Sequence, residues 1–358
     1  MDHFQQVNRV YSSWFDHLRS PPSRCCLQLA PTAESEFQPS ITIHCISRRT
    51  EFDSQTKNSR ETVHVESISP WAPACIGPYS QCTQIGGLVL LAGQIGLTPE
   101  TMEFEESENR VESELGMSMR SNAAVLKALR NHDMHKTLSL TIWTVEPIDR
   151  NFIDSCRFVI EDWGQKFKVN PLIVRVGRLP RGATVETQVV GEISRETPQS
   201  FGVKRSSLGV QKAKVETWTD VQEAAPGFKL TVTAVKCQNH TSIQIGLGKN
   251  QALENPESEL QAFQTMLSTL LETRRKFGVV GHSISTRVFY IEGSDTIKRN
   301  WDELRESCPP SKEVMQNAVA TSDEVAWIPA TDISSMFLKK VNATSNAIVL
   351  DVLYSNYS

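Results

Sequence analysis

Two short phrases, Gly77-Pro78-Tyr79-Ser80-Gln81 and Ala92-Gly93-Gln94-Ile95-Gly96, flank the apolar run Leu88-Val89-Leu90-Leu91-Ala92. A Gly-Pro pair fixes a tight loop, and a glycine in a second loop lets a ligand come close to the backbone. Tyr79, Ser80, Gly93 and Gln94 therefore read as one wall of a pocket; packing as an ordinary loop tyrosine is the competing reading for Tyr79. Metal chemistry has no comparable signal. The eight cysteines, Cys25, Cys26, Cys45, Cys75, Cys82, Cys156, Cys237 and Cys308, form no C-x-x-C pair and no paired ligand spacing, so reduced thiols are expected, with no metal and no cofactor held by this chain.

The elements that must position this wall lie between residues 63 and 194. The run at 88–92, bounded by Gly86-Gly87 and Gly93, suits a strand buried on both faces. The acidic stretch from Glu103 to Glu114 reads as a solvated loop leading into a helix, whose Met119, Ala123, Leu126 and Leu129 recur at helical spacing. Leu138 to Val145 alternates with period two and stops before Pro147, as a half-buried strand does. A helix from Asp149 to about Phe167 follows, then strands at Leu172–Val176 and Thr184–Ile193 around a Pro180-Arg181-Gly182 turn. The order β-β-β-α-β-α-β-β defines an α/β (α+β) unit, a mixed sheet with helices packed on one face.

Parts of that unit recur on either side. In residues 1–50, Phe4 and Phe15 are spaced as Phe152 and Trp163 are, and a proline-containing loop then leads to Arg24-Cys25-Cys26-Leu27-Gln28-Leu29-Ala30, matched to Pro171 through Gly177, with Ile41 to Ile46 as a last strand. A lone helix with two strands cannot bury its apolar face, so this half-unit must dock on the rest. Residues 51–62 and 195–214 are polar and aperiodic, and read as linkers. From 215 to 358 the pattern returns in diverged form: strands at Lys229–Val235, Ser242–Leu247, Ser285–Ile291, Glu324–Ile328 and Ala347–Tyr354, and helices at Glu257–Phe277 and Thr296–Glu306. A chain of 358 residues is long enough for two or three such units, each of roughly 100–150 residues.

Composition narrows the partners. With 39% hydrophobic residues, 22% charged residues and a net charge of −4, there is no basic excess to hold a phosphate backbone, so nucleic acid is not expected. No apolar run approaches the ~20 residues of a membrane helix, and the polar start is unlike a signal peptide; a cytoplasmic protein without a membrane partner is expected.

From Ser69 through Ile193 the phrases above resemble the RidA/YjgF (reactive intermediate deaminase A) family, which implies tandem units of the chorismate-mutase-like type. In that family the substrate is an imine or enamine of an amino acid, and water attacks the C=N carbon. Such a cleft needs a fixed cation for the carboxylate, a group that places water, and donors for developing charge. The resemblance assigns the arginine ahead of the penultimate strand to the carboxylate, a role that suits its planar fork. In the half-unit this is Arg24; in the central unit it is Pro171, which can neither carry charge nor donate from its nitrogen. The family glutamate is matched by Glu186 and the helix asparagine by Asn8, with Cys156 in the central copy. Cys26 matches the family cysteine. Each copy is incomplete, and since family members form trimers with clefts at subunit boundaries, the resemblance implies a composite site: Tyr79 and Glu186 as catalytic candidates, with Arg24, Asn8, Gly93 and Gln94 as ligand-binding candidates. An ion pair of Glu186 with Arg178 or Arg181, and a merely solvated Arg24, are the competing readings.

Trp71-Ala72-Pro73 ahead of Ile76-Gly77-Pro78-Tyr79, and Tyr11-Ser12-Ser13-Trp14-Phe15 ahead of Pro21-Pro22-Ser23-Arg24, further resemble the accessory C-terminal region of the eukaryotic diphthine–ammonia ligase family. That resemblance implies diphthamide synthesis on translation elongation factor 2 as the setting. It implies ATP only for an N-terminal domain whose Ser-Gly-Gly-Lys-Asp-Ser loop is not in this sequence, and so a fragment or shortened product of a larger ligase. An accessory region without catalysis of its own is the leading expectation, with elongation factor 2 and a small carboxylate-bearing metabolite as partners and a trimer-like assembly of units. A free-standing imine deaminase and a metabolite sensor are the alternatives.

Overall fold

Short apolar runs between glycines and alternating stretches become the strands of two sheets in the computed structural model, which describes residues 3–15, 20–29, 41, 43, 45–46, 60–85, 87–129, 137–163, 169–193, 215–225, 228–249, 256–281, 283–291, 301, 326–330, 332–336, 343–345 and 348–356. Helix α1 spans Phe4–Phe15. The central unit then runs β1 (Glu61–Val63), β2 (Cys82–Ile85), β3 (Leu88–Leu91), β4 (Gln94–Ile95), α2 (Arg110–Ala128), β5 (Thr137–Thr144), α3 (Arg150–Trp163), β6 (Leu172–Arg175) and β7 (Val185–Glu192). Its strands lie in the order β1-β2-β3-β7-β5-β6, with the short β4 also on β7. The β5–β6 pair is parallel and the others are antiparallel. Asn109 starts α2 by accepting a hydrogen bond from the Glu112 amide at 3.2 Å, the role expected of an N-cap asparagine.

The C-terminal unit contains β8 (Glu216–Ala225), β9 (Phe228–Lys236), β10 (His240–Lys249), α4 (Pro256–Lys276), β11 (Ser283–Ile291), β12 (Ala326–Ala330), β13 (Asp332–Met336), β14 (Ala343–Ser345) and β15 (Ile348–Ser355). Its sheet reads β8-β9-β10-β15-β11-β12, with β11 and β12 parallel. This is the strand order of the central sheet. The β13–β14 hairpin leaves its own unit and pairs antiparallel with β6, extending the central sheet.

Each unit buries its helices against one sheet face: Leu115 and Met119 of α2 and Ile160 of α3 pack with Ile142 and Val189, and α4 packs with Leu230, Val232, Ile243 and Leu350. A third cluster joins the units: Trp143, Leu172 and Val174 meet Phe289 and Val349, with the Trp143 and Phe289 rings 5.8 Å apart. Each such side chain contributes about 1.5–3 kcal/mol of burial. The contact corrects the half-buried reading of residues 138–145: every residue of β5 is buried, because the second sheet covers the face that alternation leaves polar.

Other expectations also shift. The acidic stretch is not solvated throughout, since Glu114 is buried inside α2, bonded by Arg110 Nε at 2.5 Å and accepting from the Thr184 amide at 2.7 Å. The linker at 51–62 gives way to β1 at Glu61. Residues 24–29 are extended but not a ladder strand, because their neighbours are loops: isolated bridges join Ser23 to Ser80 and Gln28 to Arg178. Ile41, Ile43 and Cys45 are exposed and lie in no strand among the described residues. The linker 195–214 lies outside the described residues, as does the helix at 296–306 apart from Trp301, which packs 5.6 Å from Phe263. Among the described residues no helix is long and apolar enough to cross a membrane.

Candidate composite cleft

The tyrosine loop is fixed from within by Gln81. Its Nε2 donates to the Pro73 carbonyl at 2.5 Å, and its Oε1 accepts from the Val65 amide at 3.0 Å and the Cys75 thiol at 2.9 Å. Ser80 then holds the N-terminal segment: its hydroxyl donates to the Pro21 carbonyl at 2.6 Å and its amide to the Pro22 carbonyl at 3.2 Å. Ser23 returns a bond to Thr83 Oγ1 at 2.9 Å, and the Gly93 amide donates to the Arg24 carbonyl at 3.2 Å. These four contacts set Arg24 against both glycine loops.

The Arg24 guanidinium is held by the N-terminal helix. Nη2 donates to Asn8 Oδ1 at 2.6 Å, and the ring centroids of Tyr11, Tyr79 and Phe4 lie 4.5, 5.4 and 6.0 Å from its central carbon. Nε and Nη1 are buried and have no hydrogen-bond partner. Gly77 leaves the room for this: a Cβ there would sit 3.0 Å from Nη2.

Facing it, Glu186 on β7 is only 2% exposed. Its Oε1 accepts from the Cys25 thiol at 3.2 Å, while Oε2 has no partner. Burial pushes the carboxyl up to about 7, with the Cys25 hydrogen bond and the Arg24 charge pulling the other way. Burial likewise raises the Tyr79 phenol and the Cys26 thiol. Behind β4, Ser118 donates to the Gln94 carbonyl at 2.8 Å and is bonded to Thr187, to which Asn122 Nδ2 also donates at 2.7 Å, so β4 and β7 are tied to α2.

A small cavity is lined by Arg24, Cys26, Tyr79, Gly93, Gln94 and Glu186, with apolar surface from Phe4, Ile76, Ile95 and Leu97. Of the six residues singled out from the sequence, five line this cavity, and Asn8 stands behind it on Arg24. Ser80, read as part of the wall, instead clamps the segment at 20–29. Pro171 is buried at the start of β6 and does not line the cavity. Sequence reasoning missed Phe4, Tyr11 and Cys25, although Phe4, Asn8 and Tyr11 fall at i, i+4 and i+7, one face of a helix. Arg178 and Arg181, the competing partners for Glu186, do not line the cavity.

A mixed sheet with helices on one face thus carries a Gly-Pro-Tyr-Ser loop and a buried glutamate opposite an arginine. The profile of the endoribonuclease L-PSP family matches residues 70–193. A 2-iminobutanoate/2-iminopropanoate deaminase of Dermatophagoides farinae is 31% identical over 126 residues, 34% of this chain and 91% of that protein. The chain belongs to the endoribonuclease L-PSP (RidA) family. It is also similar to the diphthine–ammonia ligase of Schizosaccharomyces pombe, 33% identical over 195 residues, which is 53% of this chain but 28% of the ligase. The chain thus spans less than a third of that relative's length. Among solved structures, RidA from the Antarctic bacterium Psychrobacter sp. PAMC 21119 covers 37% of this chain and 100% of its own at 24% identity, with a TM-score of 0.32.

Proposed function

We propose that this chain is the RidA-like accessory region of a diphthine–ammonia ligase, cytoplasmic and acting in diphthamide synthesis on elongation factor 2, and that its composite cleft holds a small carboxylate-bearing metabolite. The observation that carries the ligand reading is the pair of unsatisfied groups across the cavity. Arg24 keeps two buried donors free, and Glu186 keeps one acceptor free. Buried polar groups are ordinarily bonded, so an open donor pair opposite an open acceptor marks a place for a ligand that offers both. A carboxylate on Arg24 and an N–H or water near Glu186 would close all three. The cleft offers one guanidinium and is not built on a glycine-rich helix entrance, which fits a carboxylate and not a triphosphate; ATP on this reading belongs to a separate domain of the ligase. We read the C-terminal sheet, with its matching strand order, as a second unit of the same type and the whole as a trimer-like arrangement within one chain.

Thermal shift and calorimetry with 2-oxobutanoate test the ligand reading: the full chain should bind it, and Arg24→Glu should abolish binding. Unchanged binding after that charge reversal would sink it. Capture of elongation factor 2 by the full chain, lost on competition with unlabelled chain, tests the accessory role. One observation favours a deaminase as the second reading. A carboxyl poised at about 7 can give a proton to an imine nitrogen and then place water on the C=N carbon. Ammonia release from an amino-acid-derived imine, absent in Glu186→Gln, would select that reading over an accessory role.

A further inference from the structure

Glu186 is wedged between two parts of the chain that are distant in sequence. On one side is Gly93, where a Cβ would fall 1.6 Å from Oε1 and 3.1 Å from Cys25 Sγ. On the other is Cys25, whose thiol donates to that same oxygen at 3.2 Å. Oε1 already lies against Gly93, and the carboxyl cannot exchange its oxygens without breaking the only hydrogen bond described for it. Oε2 is left buried, without a partner, in a residue that lines the cavity. Cys25 and Arg24 are consecutive, so the segment that delivers the cation also delivers the donor that orients the acid.

We propose that Cys25 is a positioning residue for the cleft: its thiol fixes Oε1 of Glu186 and thereby presents Oε2 as the one oxygen that meets a bound ligand. The role follows from geometry and is separate from that of Cys26, which lines the cavity itself. A thiol is a weak donor, so it orients the carboxyl without satisfying it as an arginine would. Cys25 remains a protonated donor because burial and the neighbouring Glu186 charge both raise it, well above the ordinary thiol value. The charged and titratable groups around the pair are Arg24 and Cys26 from the same segment, Tyr79 from the glycine loop, and Arg287 from β11. None replaces Cys25 as a described donor to Oε1.

The proposal rests on the cleft being a ligand site, and its test separates the two. In the full chain the Glu186 carboxyl is followed by infrared difference spectroscopy from pH 5 to 9, with Glu186→Gln as the blank, in wild type, Cys25→Ala, Cys25→Val and Cys25→Ser. Loss of the donor should move the titration midpoint up by about 0.5 to 1 in pH for both Ala and Val, and Ser should bring it back. Affinity for 2-oxobutanoate at pH 7.5 should weaken about 3- to 10-fold in Ala and Val and recover in Ser, a pattern that lost packing alone does not give because Ser restores the donor and not the sulfur volume. A midpoint unmoved in Ala and Val overturns the proposal whatever the ligand does. A midpoint that moves and returns, in a chain that binds no 2-oxobutanoate, upholds the positioning role and removes only the choice of ligand.

Discussion

Glu186 of the central sheet and Asp351 of the C-terminal sheet, on strands at the same place in a shared order, are buried in opposite ways. On β7, Glu186 stands opposite Trp143 in the ladder and keeps one oxygen open. On β15 the acid is Asp351, which stands opposite Arg287 and is closed by it: Nε donates to Oδ2 at 2.9 Å and Nη2 to the same oxygen at 2.5 Å. Arg287 also reaches Gln188 of the central unit at 3.1 Å, so the satisfied pair joins the two sheets. Beside it, Val349 and Ile348 occupy the ladder positions facing Phe289 and Tyr290. The same topology can thus carry a closed polar pair that consolidates the fold or an open one that asks for a ligand, and one residue pairing decides which.

Removing each acid should expose the contrast most strongly. Asp351→Ala leaves Arg287 buried without its partner, and the loss in folding free energy by urea denaturation should be roughly 3–5 kcal/mol. Glu186→Gln should act in the other direction as pH rises toward neutrality. Because the folded carboxyl is raised from 4.5 to about 7, the folded state binds the proton more tightly, and stability contributed by this group falls as pH rises through that window. Wild type should therefore lose on the order of 3 kcal/mol between pH 4.5 and pH 7.5 that Glu186→Gln retains, read from paired denaturation curves across that range. A flat difference between the two proteins would mean that Glu186 is not held as described.

Smaller changes sharpen the cleft itself. Gly93→Ala forces a methyl into the Glu186 carboxyl and should destabilise by about 1–3 kcal/mol while abolishing 2-oxobutanoate binding, measured by thermal shift and calorimetry together. Tyr79→Phe removes only a hydroxyl, and it should weaken that binding by less than about tenfold while leaving the ring stacked on Arg24.

The sequence revealed the central unit well because its signals are local. Alternation, the glycines around residues 88–92, and the Pro180 turn mark strands and bends that the structure contains. The second helix of the unit is described to Trp163, and the end read near Phe167 lies outside the described residues. What could not be read was any property set by contact between units. The second face of β5, the edge pairing of β13 on β6 and the burial of Glu114 all depend on partners remote in the chain, which periodicity does not report. The cleft was legible as residue types, through glycines that permit close approach. Cys25 was not, since two adjacent cysteines in an extended segment look alike until the pleat sends one into the cavity and the other to the carboxyl.

The hairpin that crosses from the C-terminal unit has a protective effect. Without β13, strand β6 would present a row of open amides and carbonyls along Leu172–Arg175, an invitation to pair with another copy of the sheet. By covering that margin itself, the chain moves the edge of the sheet to the three-residue β14, a shorter template for self-association, and makes shielding of one unit depend on the correct folding of the other.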